Sequence, residues 1–255
     1  RKPQRTTTAR LDGRRVVLTG ATSGVGYQAA RRLAQAGASL TLIVRNAAKA
    51  ARVRQELDDA FGTAADVILA DFTELDQVRA AAGTLLDRHP RIDVLINNVG
   101  IHRTRRTLTA AGHETVFCVN HLAPFLLTRL LLDRLKAGAP ARIIQVNSQG
   151  HRFGGLNLDD LTWARRRYSG LRSYGAAKVA QLHTVRYLAQ QLEGTGVTLN
   201  AMHPGAVKTN IGLDNGPLYR WYRRTIINRF LDDPEVAGDA LYYLAAAPEL
   251  AEHVD

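Results

Sequence analysis

The stretch RVVLTGATSGVG, residues Arg15–Gly26, decides the fold. Its first five residues form a short apolar run bounded by turn residues, which predicts a buried strand. Three glycines follow, and the amphipathic pattern from Tyr27 to about Ala36, closed by Gly37, predicts a helix. A glycine-rich turn that joins a strand to a helix is typical of a phosphate-binding loop, although an ordinary turn is the alternative.

Strands alternate with helices along the rest of the chain. Buried strands are predicted at 39–44, 67–70, 94–96, 142–146 and 197–202. Helical patterns cover 46–57, 75–86, 114–135 with an interruption at Pro124, and the region around 174–181. This alternation predicts a single α/β domain over residues 14–255, a doubly wound parallel sheet of the Rossmann type with helices on both faces.

The glycine loop has the features expected of a dinucleotide cradle. Gly20 would permit the tight turn, Gly24 would let the backbone approach a pyrophosphate, and Gly26 would let helix and strand pack closely. The helix N-terminus adds unpaired N–H groups and a partial positive charge. The predicted cofactor contacts in this loop are Gly20, Thr22, Ser23, Gly24, Val25 and Gly26.

The end of the second strand indicates which dinucleotide is bound. It reads LIVRN over residues 42–46 and contains no acidic residue that could bind a free ribose 2′-hydroxyl. Arg45 can instead offer a planar fork of donors to a 2′-phosphate. We therefore predict that NADP(H) is favoured over NAD(H), with a solvated loop arginine as the alternative.

The composition limits the possible partners. The 255 residues are 45% hydrophobic and carry a formal charge of +11, so the chain can bury a sizeable core. The arginines are scattered and are not interleaved with base-stacking aromatics, which favours an arginine-rich surface over nucleic-acid binding. The histidines lack metal-type clustering, and no metal site is predicted.

The compartment is inferred from the cysteine and from the apolar segments. Cys118 is the only cysteine, which excludes an internal disulfide and suits a reducing compartment. Leu122–Leu135 is broken by Arg129 and Asp133, so no membrane span is predicted. Arg1–Gly13 lacks the apolar middle of a signal peptide. We expect a soluble, cytoplasmic protein with a flexible basic lead-in over residues 1–13.

Tyr174 and Lys178 lie four residues apart in a run of helix formers and share one face of a helix. An ammonium within roughly 4–6 Å of a phenol favours the ionised form and lowers the phenol pKa. A tyrosine tuned in this way can exchange a proton with an alcohol or a carbonyl. Taken alone, the pair is better explained by a half-buried tyrosine beside a solvated lysine.

The order of the motifs resembles the short-chain dehydrogenase/reductase family, and most closely its retinol dehydrogenase-like branch. The family motifs run from the glycine loop through Asn97–Gly100, Asn120 and Ser148 to Tyr174-x-x-x-Lys178 and Pro204-Gly205. The branch is suggested by NHLAPFLLT at 120–128, RYSGLRSY at 167–174 and LEGTGVTLNAMHPG at 192–205. The resemblance covers roughly 11–247 and implies a seventh edge strand beyond residue 255. Position 147, an asparagine here, is commonly a second serine.

The resemblance implies a role for each matched residue. Tyr174 would be the catalytic acid/base, Ser148 would bind the substrate oxygen, and Lys178 would bind the nicotinamide ribose and lower the Tyr174 pKa. Asn120 would hold a water that extends the proton relay from Lys178. The implied cofactor contacts beyond the glycine loop and Arg45 are Asp71, Phe72, Asn98, Gly100, Tyr174, Lys178, Pro204, Gly205, Val207 and Thr209.

The implied activity is that of an NADP(H)-dependent oxidoreductase that interconverts a ketone or aldehyde and an alcohol, with a hydrophobic substrate. The candidate substrate contacts are Ser148, His151, Tyr174 and Trp221. Trp221 belongs to an apolar helical pattern over 218–230, which covers the substrate, packs in the core or touches a membrane surface. A non-catalytic NADPH sensor or scaffold and a sugar epimerase or dehydratase are the alternatives. The family also suggests a homodimer or homotetramer.

Overall fold

Six parallel strands form the centre of the fold. The computed structural model describes residues 5–205, 207, 211, 215–216 and 233–250. Within these residues the strands are β1 (Arg15–Thr19), β2 (Ser39–Val44), β3 (Asp66–Leu69), β4 (Val94–Asn97), β5 (Ala141–Val146) and β6 (Val197–Met202). Their hydrogen-bonded order is β3-β2-β1-β4-β5-β6, which confirms the predicted doubly wound parallel sheet.

The strand order reverses at β1 and β4. β1 pairs with β2 on one side and with β4 on the other, so that Leu18 lies between Leu42 and Ile96. In such a sheet a crevice opens beyond the carboxyl ends of the two strands where the order reverses. This topology fixes the position of the candidate site.

Helices cover both faces of the sheet, as predicted. The helices are α1 (Gly24–Gln35), α2 (Ala47–Phe61), α3 (Leu75–Arg88), α4 (Thr115–Phe117), α5 (Ala123–Ala137), α6 (Gly170–Leu192) and α7 (Pro234–Ala246). α1, α2 and α7 contribute to one buried apolar layer, and α3, α5 and α6 contribute to the other. Successive residues of β1 alternate between the layers, with Val16 and Leu18 in the first and Val17 in the second.

The start of α1 and the end of α2 each differ from the sequence prediction by three residues or more. α1 begins at Gly24, three residues before the predicted start at Tyr27. Glycine disfavours helix interiors, but a Cβ on Gly26 would clash with the Gly20 carbonyl oxygen and with Asn98 Nδ2, so the first turn requires it. α2 continues past the predicted end to Phe61, where Gly62 stops it with a left-handed φ of 64°.

Pro124 does not interrupt the helix predicted over 114–135. Helical structure runs from Thr115 to Ala137 and contains a π-helical turn at Cys118–Leu122. Pro124 lies in the first turn of α5, directly after the π turn. In a regular helix the N–H of residue 124 would donate to the carbonyl of residue 120. Proline has no N–H, so this position leaves the Asn120 carbonyl for another donor.

The run Thr115–Ala137 is long and apolar enough to cross a membrane by length and composition alone, with a mean hydropathy of 1.5. The sequence had predicted no span in this region. In the fold, Leu127, Leu131 and Leu135 are fully buried in the apolar layer shared with α3 and α6. A core helix meets the same criteria of length and composition, so they are weak evidence for a span.

Part of the predicted lead-in contacts the domain. Leu11 is buried, and its N–H donates to the Ala36 carbonyl. The Tyr242 hydroxyl of α7 donates to the Ala9 carbonyl at 2.7 Å. The flexibility expected of residues 1–13 stays a prediction.

A buried carboxylate ties the start of α6 to α4. Glu114 is 1% exposed and accepts hydrogen bonds from the N–H groups of Val116 and Phe117. It also accepts from the hydroxyls of Tyr168 and Ser173. These donors compensate the loss of hydration of the buried charge. Because Ser173 directly precedes Tyr174, Glu114 fixes the part of α6 that carries the tyrosine.

We expect Glu114→Gln to lower the free energy of unfolding by roughly 2–4 kcal/mol, because the amide turns one acceptor oxygen into a donor that faces other donors. Urea denaturation followed by circular dichroism measures the change. Glu193→Gln, at an exposed position just after α6, is the matched control and should change the free energy by less than about 0.5 kcal/mol. Equal effects of the two substitutions would contradict this role of Glu114.

Candidate active site

A cavity of about 560 Å³ opens at the carboxyl ends of the strands, a size typical of small-molecule sites. The loops after β1, β2, β3, β4 and β5 all contribute to its wall. Each sequence-predicted cofactor residue that the structure describes lines it, namely Gly20, Thr22, Ser23, Gly24, Val25, Gly26, Arg45, Asp71, Phe72, Asn98, Gly100, Tyr174, Lys178, Pro204, Gly205 and Val207.

The glycine loop brings the N-terminus of α1 to the cavity. Gly20 and Gly24 have φ values of 74° and 55°, in the left-handed region that favours glycine. Ser23 precedes α1, and its side chain makes no capping hydrogen bond. The first N–H groups of α1 are therefore left uncapped by Ser23 and are suited to an anion, since a helix N-terminus carries partial positive charge.

The loop after β4 is locked to the end of β1. Thr19 Oγ1 accepts hydrogen bonds from the N–H groups of Asn98 and Val99 at 2.9 and 3.1 Å. Asn98 Nδ2 donates in return to the carbonyls of Thr19 and Gly20 at 3.0 and 3.2 Å. These bonds join the ends of the two strands at which the order reverses. Asn98 therefore shapes the cavity by holding the glycine loop.

Two cationic side chains stand where the cavity meets solvent after β2. Arg45 and Lys49 are exposed and line its wall. Asn46 caps α2 by accepting a hydrogen bond from the Lys49 N–H at 2.8 Å, which orients this first turn. Two cations without a neighbouring acid in the loop suit a phosphate group.

The turn after β3 forms the adjoining wall. Asp71 Oδ1 accepts from both the N–H and the hydroxyl of Thr73 at 2.9 Å, and Phe72 is buried beside it. The buried Cys118 thiol donates to the Phe72 carbonyl at 3.5 Å. Burial raises the pKa of Cys118 to about 11, so the thiol stays protonated near pH 7.

Tyr174 lies at the other end of the cavity, on α6. The side chain is half-buried, and desolvation raises its pKa, while a hydrogen bond with the Ser148 side chain acts in the opposite direction. Gly150 packs on the ring, because a Cβ there would overlap Tyr174 Cδ1 and Cε1. His102 meets the same ring edge-on, with 6.0 Å between the ring centroids.

Ser148 follows β5 and caps the short 3₁₀ helix Gln149–Phe153. Its Oγ accepts a hydrogen bond from the Gly150 N–H at 3.0 Å, and its own N–H donates to Asn147 Oδ1 at 2.7 Å. The Ser148 hydroxyl, which also contacts the Tyr174 side chain, can turn its proton toward a substrate oxygen in the cavity. The His151 ring lies 2.7 Å from the Ser148 carbonyl and is not part of the described cavity wall.

Lys178 lies one turn beyond Tyr174 and is 3% exposed. Its Nζ donates to the Val146 carbonyl at 2.8 Å and to Gln181 Oε1 at 3.0 Å, and lies 5.7 Å from the centroid of the Tyr174 ring. Burial lowers the pKa of Lys178 to about 7. The sequence predicted that this ammonium would lower the pKa of Tyr174, but the protein groups by themselves raise it, because burial favours the neutral form of both side chains.

Asn120 lies behind Lys178 and not in the cavity wall. Its side chain forms two hydrogen bonds with the backbone of Ile101, donating at 2.9 Å and accepting at 2.8 Å. The backbone carbonyl of Asn120 accepts a hydrogen bond from Gln181 Nε2 at 2.5 Å. Asn120 is therefore joined to Lys178 through Gln181, while the relay water implied by the resemblance stays a prediction.

Several predicted features lie outside the described residues. They are Thr209, Trp221 and the rest of the apolar helical pattern over 218–230. Among the residues that the structure does describe, no group of three or more His, Cys, Asp or Glu side chains could hold a metal ion.

Sequence reasoning missed several residues of the site, among them Gln181, Lys49 and His102. Gln181 was detectable, since it follows Lys178 by three positions in one helix and therefore shares its face. Lys49 follows Arg45 by four positions at the start of α2, which was a weaker signal. His102 carries no signal in the sequence, because its place against Tyr174 depends on the fold.

The chain is similar to known proteins both in sequence and in structure. The short chain dehydrogenase family profile matches residues 14–216. Human retinol dehydrogenase 13 is 36% identical over 96% of this chain and 75% of its own. A candidate daunorubicin C-13 ketoreductase, DnrU of Streptomyces sp. (strain C5), is 41% identical over 93% of this chain and 80% of its own. A short chain dehydrogenase from Burkholderia cenocepacia J2315, solved in complex with NADP, superimposes with a TM-score of 0.75 at 26% identity, covering 96% of this chain and 95% of that one.

Lys178→Met is expected to change the pH dependence of stability. The Lys178 pKa is about 7 in the folded chain and returns to its ordinary value of 10.5 on unfolding. Between these values the unfolded chain holds the extra proton, so wild-type stability rises with pH by up to about 1.4 kcal/mol per unit relative to the variant. The stability of Lys178→Met relative to wild type should thus be greatest below about pH 7 and should fall toward pH 10.5.

Urea unfolding at a series of pH values measures this difference. Lys136→Met, at an exposed position near the end of α5, is the matched control and should show no such slope. A difference between wild type and Lys178→Met that is independent of pH would contradict the lowered pKa.

Proposed function

The chain belongs to the short-chain dehydrogenase/reductase family, in its retinol dehydrogenase-like branch, and we propose that it interconverts a carbonyl compound and an alcohol with NADP(H) as cofactor. One observation carries this proposal. A single cavity has an uncapped helix N-terminus and two cations toward one end, and Ser148, Tyr174 and Lys178 at the other.

The cavity fits a phosphorylated dinucleotide in several respects. The uncapped start of α1 suits the pyrophosphate, and Gly24, which has no Cβ, lets a ligand approach the backbone of the loop. Arg45 and Lys49 suit a 2′-phosphate on the adenosine ribose. The relative solved with NADP supports the same preference.

The proton on Tyr174 suits this residue to act as an acid in the reductive direction near neutral pH. When bound, NADPH supplies a hydride to the carbonyl carbon. Ser148 donates its hydroxyl proton in a hydrogen bond to the carbonyl oxygen and stabilises the negative charge that develops there. Tyr174, whose pKa is raised by burial, stays protonated and delivers its proton to that oxygen. Lys178 would bind the nicotinamide ribose and, when charged, favours release of the tyrosine proton.

A lipophilic substrate is the class supported best. Val99, Ile101 and Ile211 line the cavity wall, and the relatives include a protein named for retinol and another named for daunorubicin. A panel of retinal, a medium-chain aldehyde and a polycyclic ketone, followed by NADPH oxidation, tests the proposal. NADPH binding without turnover of any carbonyl or of the matching alcohols would favour the sensor over the enzyme.

The assembly and the location of the protein are parts of the same proposal. We expect a homodimer or homotetramer in which α5 and α6 pack across a symmetry axis, and a cytoplasmic location. Light scattering tests the assembly, and a monomer at enzymatic concentrations would exclude it.

Tyr174→Phe should lower turnover by roughly 10²–10⁴-fold while leaving NADPH affinity nearly unchanged, since the ring remains and only the acidic proton is lost. Steady-state kinetics and NADPH fluorescence measure the two quantities. Tyr187→Phe is the matched control on the same helix, where the side chain is 56% exposed, and should retain full turnover. A Tyr174→Phe enzyme with most of its activity would remove this residue from the mechanism.

Arg45→Asp should raise the KM for NADPH by roughly 10- to 100-fold, because a charge-assisted contact with the 2′-phosphate becomes a repulsion. The KM for NADH should change far less, and the ratio of the two constants is the measurement. Arg54→Asp makes the same charge change at an exposed position of α2 and should leave the ratio as it is. Parallel shifts for both cofactors would contradict recognition of the 2′-phosphate by Arg45.

A further inference from the structure

We propose that Gln181 is a positioning residue for Lys178, which it joins to Asn120 and Asn147 through a single carboxamide. Its importance for catalysis rests on the proposed function. The Gln181 amide connects Lys178 to Asn120 by hydrogen bonds, a connection that the family resemblance assigns to a water.

The Gln181 carboxamide uses both of its ends. Oε1 accepts hydrogen bonds from Lys178 Nζ and from Asn147 Nδ2, each at 3.0 Å. Nε2 donates to the Asn120 carbonyl at 2.5 Å. The side chain is 2% exposed, so the low surrounding dielectric strengthens these hydrogen bonds.

Asn147 fixes which way the amide points. Its Nδ2 donates to the Lys178 carbonyl at 2.9 Å as well as to Gln181 Oε1, and its Oδ1 accepts from the Ser148 N–H. Because Asn147 Nδ2 can only donate, the Gln181 oxygen must face it, and the same oxygen then faces the ammonium. Residue 147 departs from the family pattern, which commonly has a serine here. A serine in the same geometry could not replace the two hydrogen bonds that Asn147 Nδ2 donates to Gln181 and to the Lys178 carbonyl.

The Asn120 carbonyl is available because of a feature of the sequence. Pro124 has no N–H to donate to it, and the π turn Cys118–Leu122 has already displaced the hydrogen-bond ladder. Gln181 Nε2 supplies the donor that the helix does not. Pro124, Asn120 and Gln181 thus form one arrangement that connects α5 to α6 behind the cavity.

This arrangement is expected to set the charge state of Lys178. The Gln181 oxygen is an acceptor for the ammonium, so it favours the charged form that burial opposes. Tyr174 is a titratable neighbour on the same helix, with its ring centroid 5.7 Å from Lys178 Nζ. His121 of the π turn packs against Phe117 and Phe125, and burial lowers its pKa to about 4, which leaves it neutral near pH 7. The pKa of Lys178 itself is lowered by burial.

Direct titration of Lys178 tests the proposal without substrate or cofactor. The chain has only five lysines, at positions 2, 49, 136, 178 and 208. NMR spectra of the chain with ¹³C-labelled lysine Cε atoms therefore contain few signals. The signal that is lost in Lys178→Met is that of Lys178. We expect the Lys178 pKa to fall by about one unit or more in Gln181→Leu, where the acceptor is lost. In Gln181→Glu, where a carboxylate replaces it, the pKa should rise by a similar amount.

Gln145→Leu is the matched control. Gln145 is buried and lines the same small cavity behind α6 as Gln181, and it receives the same chemical change without contact to Lys178. Its substitution should leave the Lys178 pKa as in wild type. Gln181→Glu keeps the shape of the side chain, so it remains informative if the leucine variant is poorly folded.

The pH dependence of turnover supplies the catalytic readout. Relative to wild type, Gln181→Leu should lose more activity one unit above the Lys178 midpoint than one unit below it, and Gln181→Glu should show the opposite pattern. A role limited to packing would move neither the titration nor this ratio. Shifts in the same direction for both variants, or none, would overturn the proposal. Shifted titrations in a protein that turns over no carbonyl would instead leave Gln181 as the positioning residue and refute the proposed function.

Discussion

The site depends on holding one ammonium, that of Lys178, almost entirely away from water. Burying a cation costs several kcal/mol of lost hydration, and the chain meets that cost with neutral acceptors, the Val146 carbonyl and the Gln181 amide. Neutral acceptors leave the charge free to be lost and regained near pH 7, which a buried carboxylate partner would prevent. The same requirement explains why polar side chains are packed so densely behind the cavity.

The two ends of the cavity are built by different means. Around the glycine loop, the shape of the cavity is set mainly by the backbone. The features are positive φ values, an uncapped helix N-terminus and the close packing of Gly26 against Asn98. Around Tyr174, the cavity is shaped mainly by side chains. Glu114, Asn147 and Gln181 each form hydrogen bonds with several donors or acceptors. The first kind of construction presents backbone N–H groups that suit an anion, and the second sets the protonation state of two residues.

Much of this could be predicted from the sequence because it is local. The strands, the glycine loop and the Tyr174–Lys178 pair follow from spacing within one element, and the sheet topology follows from their alternation. What could not be predicted depends on contacts between distant segments. The raised pKa of Tyr174 results from burial, which no spacing reveals, and the meeting of Gln181 with Asn120 joins residues 61 positions apart. The sequence predicts an interruption at Pro124, because the actual effect of this proline depends on a π turn that has no simple sequence signature.

The π turn at Cys118–Leu122 also limits how this chain can change in length. It places one more residue in a helical turn than an α-helix would, and a residue corresponds to about 100° of rotation in a helix of 3.6 residues per turn. Deleting one residue there would turn either Asn120 away from Ile101 or Leu127, Leu131 and Leu135 away from the core. Related chains should therefore lack insertions and deletions in this segment, although neighbouring loops can accept them. A related chain whose alignment needs a gap in this segment should have a different site.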